Sequence, residues 1–273
     1  MPELPEIETI RRTIGPRVVG RTVAAVEVRC AALRRTMAPD FATELTARRI
    51  ERARRRAKYL ILDLDDGRAW ISHFGMSGTL LHHEPGRAPQ PAKHDHVVVR
   101  LSDGATAVFN DPRRFGFMTI EDAAGGPLLA GIGPEPLDDD AFTGAYLAGL
   151  RRRTRRTIKD VLMDQRVVAG LGNIYVNEIL FVSGLRPRRR LSRLTLAQCD
   201  ALAAATRQVL REAIAHRGSS ISDFLDGIGR RGGYQWRRLV YDRAGEPCPR
   251  CAAEIKQVIV GQRSSFYCPA CQI

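Results

Sequence analysis

Four cysteines constrain this chain more than any other feature of it. Cys248, Cys251, Cys268 and Cys271 form C-x2-C-x16-C-x2-C near the end of the 273 residues. Each C-x2-C places two thiolates on one tight turn, and two such turns complete a tetrahedral site. The spacing therefore reads as one structural Zn2+ rather than as disulfides. Four thiolate ligands leave no open coordination position, so the metal holds the fold and performs no catalysis. Between the pairs, IKQVIV and SSFYC read as two strands joined near Gly261, Gln262 and Arg263, a hairpin that presents Arg263 at its tip.

Charge narrows the partners. The chain carries 43 Lys+Arg against 30 Asp+Glu, a formal net charge of +13, which points to a polyanion, most often nucleic acid. The lysines are Lys58, Lys93, Lys159 and Lys256, and every other basic residue is an arginine. Arginine's planar fork suits phosphate and base-edge contacts. No run of about 18 apolar residues is present, so no membrane-spanning helix is expected. The N-terminus is acidic and lacks an apolar signal core, so the expected location is the cytoplasm.

The first half reads as β-rich. Residues 22–28, 58–64, 97–101 and 105–109 are strand-like in composition, and Asp66-Gly67 and Asp103-Gly104 read as hairpin turns. Several short strands of this kind suggest an antiparallel sandwich or barrel. Residues 84–93 (EPGRAPQPAK) read as a loop and 131–140 (GIGPEPLDDD) as a linker. Helical patterns follow at 157–165, 174–183 and 196–216. Thr195 and Gln198 fit a capping box before the last of these. Leu196, Cys199, Leu202, Ala203, Leu210 and Ile214 share its apolar face, and Arg217 and Gly218 end it. The glycine-rich stretch 227–233 reads as flexible.

Several residues stand out against this background. Asn173 follows Gly170-Leu171-Gly172 and precedes an apolar helix. It reads either as a helix cap or as a phosphate-holding group at a helix N-terminus. The runs RRRTRR (151–156), which contains Arg155, and RPRRR (186–190) flank these helices and suit a DNA backbone track. FGMSG (74–78) and NDPRRFG (110–116) each set a bulky side chain beside turn residues. Met76 and Phe115 fit either the core or a wedge pushed into a base stack, with Arg113 beside a base edge. In Lys93-His94-Asp95-His96, His94 reads as a phosphate donor in preference to a metal ligand.

The opening MPELPEIE is acidic in a basic protein. Pro5 suits a first helical turn, Glu6 and Glu8 complement the positive helix end, and Ile7, Ile10 and Ile14 fall on one face of a helix over roughly 6–15. Pro2 and Glu3 are not explained in this way. With Met1 removed, Pro2 becomes a terminal secondary amine, with a pKa of roughly 8. Its attack on a sugar C1′ gives a cationic iminium without a further deprotonation. Such an electron sink permits elimination of the 3′ and then the 5′ phosphate, with Glu3 exchanging a proton with the sugar ring oxygen.

Taken in order, MPELPEIETIRR, RRRAKYLIL, HFGMSG, KHDHV, DPRRFG, IGPEP, LMDQRVVAGLGNIYVNE and EPCPRC…GQRSSFYCPACQ resemble the formamidopyrimidine-DNA glycosylases, repair enzymes for oxidised purines. The resemblance implies an α+β multidomain chain. It consists of an N-terminal antiparallel β-sandwich domain (1–132), a helix-two-turn-helix DNA-binding domain (133–236) and a zinc-finger β-hairpin (237–273). It implies a monomer acting on damaged double-stranded DNA, with Pro2 as Schiff-base nucleophile, Glu3 as acid/base partner and Lys58 near the lesion phosphate. Asn173 and Arg263 clamp phosphates, Arg263 as part of the catalytic set, and His94, Arg155 and Lys159 contact the DNA. Met76, Arg113 and Phe115 fill the stack vacated by a flipped base, and the 226–234 loop closes over that base. The chain departs from the family at Tyr241-Asp242-Arg243, where members often have YGR, and at Thr154, where many have lysine. The related endonuclease VIII group, specific for oxidised pyrimidines, begins more like PEGPE. A zinc-finger DNA-binding protein without catalysis is the alternative from another class.

Overall fold

The structure, a computed structural model, describes residues 2–87, 90–124, 126–138, 140–221 and 223–273. They divide into two compact units, residues 1–130 with 216–235, and residues 131–215 with 236–273.

The first unit is a β-sandwich with a helix against it. Helix α1 (Leu4–Val18) is followed by β1 (Val23–Val28), a short α2 (Phe41–Leu45), and then β2 (Ile50–Arg56), β3 (Tyr59–Leu64), β4 (Arg68–His73), β5 (Thr79–His83), β6 (Asp95–Leu101), β7 (Thr106–Asn110) and β8 (Phe117–Asp122). One antiparallel sheet runs β1-β6-β7-β5 and the other β2-β3-β4-β8. The YLILDL run of β3 serves both of its faces. Leu60, Leu62 and Leu64 enter the core between the sheets with Trp70, Val97, Val99 and Phe109. Ile61 packs outward with Ala69 and Ile71 under Leu128 and Leu129 of α3 (Gly126–Leu129). Such double burial makes a strand read as a continuous apolar run. Helix α1 starts earlier than its apolar pattern suggests and sends Ile7, Ile10 and Ile14 into the same core.

The strand reading of the sequence is confirmed at β1, β3, β6 and β7 and is incomplete at β2, β4, β5 and β8. Part of the 84–93 loop, residues 88 and 89, lies outside the described residues.

Residues 216–235, which the sequence reading runs on from the helices, pack with the first unit. Arg217 and Gly218 both take positive φ (64° and 75°) as the preceding helix ends. The glycine-rich stretch beyond them is tightly bonded, contrary to its reading as flexible. Gly227 donates its N–H to Thr13 Oγ1 (3.0 Å) and accepts from His82 N–H (2.9 Å). Buried Asp226 accepts from the N–H groups of Ile228 (3.0 Å) and Arg230 (2.9 Å) and pairs with Arg217. The glycines are there for close approach: a Cβ on Gly232 would run into the carbonyl oxygens of Arg217 and Gly218, and one on Gly227 into Ile14. Backbone cannot yield as a side chain can. Gly232→Ala is therefore expected to destabilise the protein by about 2–3 kcal/mol, read as a lower denaturation midpoint. A flexible loop would accept the methyl group at no cost.

The second unit contains α4 (Gly144–Leu150), α5 (Ile158–Met163), α6 (Asn173–Val182), α7 (Leu196–Ala215) and the hairpin β9 (Lys256–Val260) and β10 (Arg263–Tyr267). Thr195 and Gln198 form the reciprocal box ahead of α7, at 3.2 and 3.0 Å. Cys199, Leu202, Ala203 and Leu210 are buried, but Leu196 is 63% exposed and is no core residue. Residues 131–138 are not a free linker. Gly133 N–H donates to Gln165 O (2.9 Å) and Pro134 O accepts from Ala169 N–H (3.0 Å), which seats them on the turn between α5 and α6.

Candidate functional site

Two groups of side chains, one in each unit, carry the features picked out in the sequence. In the first unit Pro2 is buried and Glu3 is 2% exposed. Glu3 occupies the N-cap of α1, and its N–H donates to Glu6 Oε2 (2.8 Å). Glu6, itself 1% exposed, also accepts from Ser219 N–H through Oε1 (2.7 Å). This carboxylate thus ties the Pro2–Glu3 peptide to the 216–235 segment. Glu8 does a different job. Burial pushes its carboxyl up, but hydrogen bonds from Arg11 and Arg12 and the charges of Arg11 and Arg55 outweigh that and hold it below the ordinary range. Met1 lies outside the described residues.

Lys58 is 7% exposed. It sits in the two-residue turn closed by the Arg56–Tyr59 pair, where Ala57 takes φ +50°. Its charge bears on His73, a residue that the sequence reading passed over. His73 lies between Tyr59 and Phe117, with ring centroids at 5.2 and 5.5 Å, and its Nδ1 accepts Gly75 N–H (3.1 Å). Burial first, then the Lys58, Arg34 and Arg35 charges, lower its pKa to about 4. The imidazole is therefore neutral at working pH, with Nε2–H free to donate. Its signal in the sequence was its place at the end of a strand directly before FGMSG.

The FGMSG and DPRRFG loops are clamped together. Gly75 has φ +57°, and a Cβ there would strike the Phe115–Gly116 backbone. Asp111, fully buried, accepts from Ser77 Oγ (2.6 Å), Gly116 N–H (2.7 Å) and Arg113 N–H (3.3 Å). Asp111 was read as a turn residue, and its burial is what makes the two loops one rigid platform. On that platform Met76 (39%) and Phe115 (42%) are exposed, so neither is core. The Arg113 guanidinium lies 4.8 Å from the Phe115 ring centroid. His94 is half-buried beside the platform, and its carbonyl accepts Asp111 N–H (3.1 Å).

In the second unit Asn173 is the first residue of α6 and Gly172 the cap, so Asn173 is not the cap itself. Its Nδ2 donates to Ser264 O (3.1 Å), and its Oδ1 is buried without a partner. Lys159 was expected at the DNA, and the structure corrects this. It is 1% exposed, and its ammonium donates to the same Ser264 O (2.7 Å) and to Ser265 Oγ (2.6 Å). A lysine so enclosed anchors the hairpin and cannot reach a phosphate. Gly261 and Gln262 (φ +55° and +61°) make the turn, with Val260 and Arg263 as its closing pair. Arg263 is thus exposed one residue from the doubly bonded Ser264 carbonyl. Lys159→Met is expected to destabilise by about 2–3 kcal/mol, since it removes charged hydrogen bonds and orphans buried acceptors. Thermal unfolding with parallel DNA titration checks this, and both readouts should worsen. Arg155 is exposed.

The four cysteine sulfurs lie within 4.8 Å of one another, with Cys248–Cys271 at 3.8 Å and Cys251–Cys268 at 3.5 Å. Zinc–sulfur bonds of about 2.3 Å put the thiolates of a tetrahedral site about 3.8 Å apart, so the set fits one structural Zn2+. Arg250 N–H donates to Cys248 Sγ and Cys271 N–H to Cys268 Sγ, both at 3.4 Å, as turns bearing metal thiolates require.

Known proteins match this arrangement from end to end. Residues 1–118 match the formamidopyrimidine-DNA glycosylase N-terminal domain and 132–225 the H2TH domain of the same enzymes. Residues 245–273 match the zinc finger found in FPG and IleRS. The chain belongs to the formamidopyrimidine-DNA glycosylase family. It is 46% identical to the formamidopyrimidine-DNA glycosylase of Chloroflexus aggregans over 275 residues, covering 100% of this chain and 99% of that one. It is also 46% identical to that of Thiobacillus denitrificans over 273 residues, covering all of both. Among solved structures, the Lactococcus lactis Fpg in complex with DNA containing an abasic site aligns with a TM-score of 0.89 at 33% identity, covering 99% of each chain. The MutM (Fpg) protein of Thermus thermophilus aligns at 0.87 and 37% identity, over 99% of this chain and 98% of that one. The sandwich, helical and zinc-finger parts expected of the family are all present.

Proposed function

We propose that this enzyme excises oxidised purines, 8-oxoguanine and formamidopyrimidines, from duplex DNA and nicks the strand through a Schiff base on Pro2. The chain is a base-excision DNA glycosylase with the lyase activity characteristic of its family. One observation carries the mechanistic reading. Pro2 and Glu3 sit buried at the head of α1, with the intervening peptide fixed by Glu6, and the capping box that accounts for Glu3 as N-cap does not account for a buried Pro2 ahead of it.

In the mechanism, the Pro2 nitrogen attacks C1′ and the damaged base leaves. Glu3 delivers a proton to the ring oxygen as the sugar opens, giving the iminium. Loss of the C2′ proton then expels the 3′ phosphate, and a second elimination expels the 5′ phosphate. Lys58 and neutral His73 donate to phosphate oxygens beside the lesion. Asn173 and exposed Arg263 bind phosphates of the damaged strand, and Arg155 and His94 add backbone contacts. Met76, Phe115 and Arg113 enter the stack that the flipped nucleotide leaves. A rigid platform suits that task, since a wedge that yields cannot hold bases apart. The 226–234 loop, expected to close over the flipped base, is held at Gly227 by Thr13 of α1 and by His82. We place the working protein in the cytoplasm as a monomer. Among the described residues no helix is long and apolar enough to cross a membrane.

The L. lactis Fpg was solved with DNA containing Fapy-dG, which supports the oxidised-purine branch. Leu4 and the exposed Met76, Arg113 and Phe115 set favour it over oxidised pyrimidines, and family membership disfavours a non-catalytic protein. The test is borohydride trapping on duplex DNA carrying 8-oxoguanine opposite cytosine. The expected adduct maps to the N-terminal peptide. An adduct on a lysine, or faster nicking of oxidised-pyrimidine duplexes, overturns the reading.

A further inference from the structure

The two arginine runs of the second unit are far apart in sequence and adjacent in space. An antiparallel bridge joins Thr157 to Arg190. On either side of it, Ile158 N–H donates to Arg189 O (2.7 Å) and Leu191 N–H to Arg156 O (3.2 Å). Buried Leu191 and Leu194 anchor the short turn that follows, leaving Arg190 and Arg193 exposed on it. That turn separates two surface depressions. One, of about 520 Å³, is lined by Arg151, Arg152, Arg153 and Ser192. The other, of about 610 Å³, is lined by Arg188, Arg189, Arg190 and Arg193, with Ile273 at its edge. The turn lines both, Ser192 on the first and Arg190 and Arg193 on the second, and the two make up an arginine-rich band.

Some arginines nearby are committed to the fold. Arg156 pairs with Asp164, Arg186 donates to the carbonyls of Gln272 and Pro269, and Arg189 donates to Gln198. Arg152, Arg153, Arg188, Arg190 and Arg193 are different. All five are exposed, and among the described residues none has an acidic partner. Clustered like charges repel one another, and a polyanion relieves that repulsion. The polar side chains lining the band are arginines and one serine, beside the exposed aliphatic Leu196 and Ile273, with no aromatic ring or side-chain amide to read a base edge. A surface so composed meets phosphates and ignores sequence.

We propose that this band is a lesion-independent contact for the phosphate backbone of duplex DNA, built from residues other than Asn173 and Arg263. It governs how tightly the enzyme holds undamaged DNA during search. The inference rests on the DNA-repair function proposed above and adds a surface to it.

The test is the full chain with Arg152, Arg153, Arg190 and Arg193 each changed to Gln. Its affinity is titrated against undamaged and 8-oxoguanine duplexes across a range of salt. Each phosphate contact contributes about 0.9 to the slope of log affinity against log salt. The slope is therefore expected to fall by about 3–4 for both duplexes, and the ratio of the two affinities to stay constant. A control carries Gln at Arg49, Arg52, Arg87 and Arg100, all exposed on the first unit, and removes the same charge. An unchanged slope in the band variant overturns the inference, and so does an equal fall in the control. A fall confined to the lesion duplex also overturns it, since the band would then belong to the lesion site. Failure of the glycosylase reading is distinguishable, because it shows as missing borohydride adduct in the unaltered protein.

Discussion

Protein that keeps any residue or tag ahead of Pro2 is expected to lose borohydride trapping and strand nicking together, by a factor on the order of a thousand or more. The reason is electronic before it is steric. Once acylated, the Pro2 nitrogen is part of a planar amide, its lone pair delocalised into the carbonyl, and it cannot attack C1′. A steric reason reinforces this. Pro2 is buried and Glu3 is 2% exposed, so an added segment crowds the position from which the amine must reach the sugar. Trapping assays on tagged protein, and on the same protein after removal of the tag back to Pro2, measure the effect. Recovery on removal supports the assignment. Undiminished trapping by the tagged form, with the adduct on another residue, would refute it. DNA affinity should change little, because the phosphate contacts do not involve the terminal amine.

Stripping the zinc is the second large perturbation. Structural zinc contributes an apparent 10–16 kcal/mol in isolated finger peptides, on the order of the whole stability of an ordinary domain. Here the thiolates hold a small cluster around Phe181, Val240, Ile255 and Phe266. The cluster sits behind the hairpin whose Ser264 carbonyl receives Lys159 and Asn173. Chelation, or Cys268→Ser, is expected to melt residues 245–273 and release Arg263 from its position. Affinity for lesion duplex should then fall by at least about a hundredfold, while the sandwich keeps its β-sheet circular-dichroism signal. Hydrogen exchange with and without chelator separates the two outcomes. Protection lost uniformly across both units would contradict the assignment of the metal to the hairpin alone.

The sequence disclosed different parts of the molecule to different degrees, for physical reasons. The zinc hairpin was fully legible, because covalent spacing leaves the cysteines few alternatives. The strands β3, β6 and β7 were legible because their burial makes them apolar. Strand β2, IERARRR, was not. Its residues pair with β3 along its length, but backbone pairing leaves no mark on composition. Only Ile50 of that strand is buried in the core. Lys159 was misplaced because a basic residue near a basic run reads as surface, and its burial depends on the hairpin more than 100 residues away. The glycines at 227–233 illustrate an ambiguity of the residue itself. Glycine marks both freedom and crowding, and only packing against Thr13, Ile14 and Gly218 decides between them. At the candidate site, Pro2 was legible because local grammar had no use for it, whereas Glu3 serves also as the N-cap of α1. Asp111 and His73 were not legible, because their importance comes from packing between loops and strands, Ser77 for Asp111 and Tyr59 and Phe117 for His73.

Asp242 shows how a departure from the family is accommodated. It takes φ +60°, and its carboxylate lies 3.7 Å from Arg238. The position calls for left-handed backbone, which glycine adopts freely and aspartate tolerates better than most other residues. Where the resemblance leads one to expect glycine, the aspartate thus meets the backbone requirement of this turn.

The bond between Glu6 and Ser219 spans 213 positions, and that separation has a consequence for biogenesis. The ribosome delivers α1 and the strands first, then residues 131–215, which belong to the other unit, and only afterwards the segment that completes the first. Until residue 235 has emerged, Glu6 lacks the Ser219 amide, Thr13 lacks Gly227, and Phe224 is missing from the core it shares with Ile14. A nascent chain halted at residue 215 is thus left with an open apolar edge and an under-solvated carboxylate, a natural substrate for chaperones and proteases.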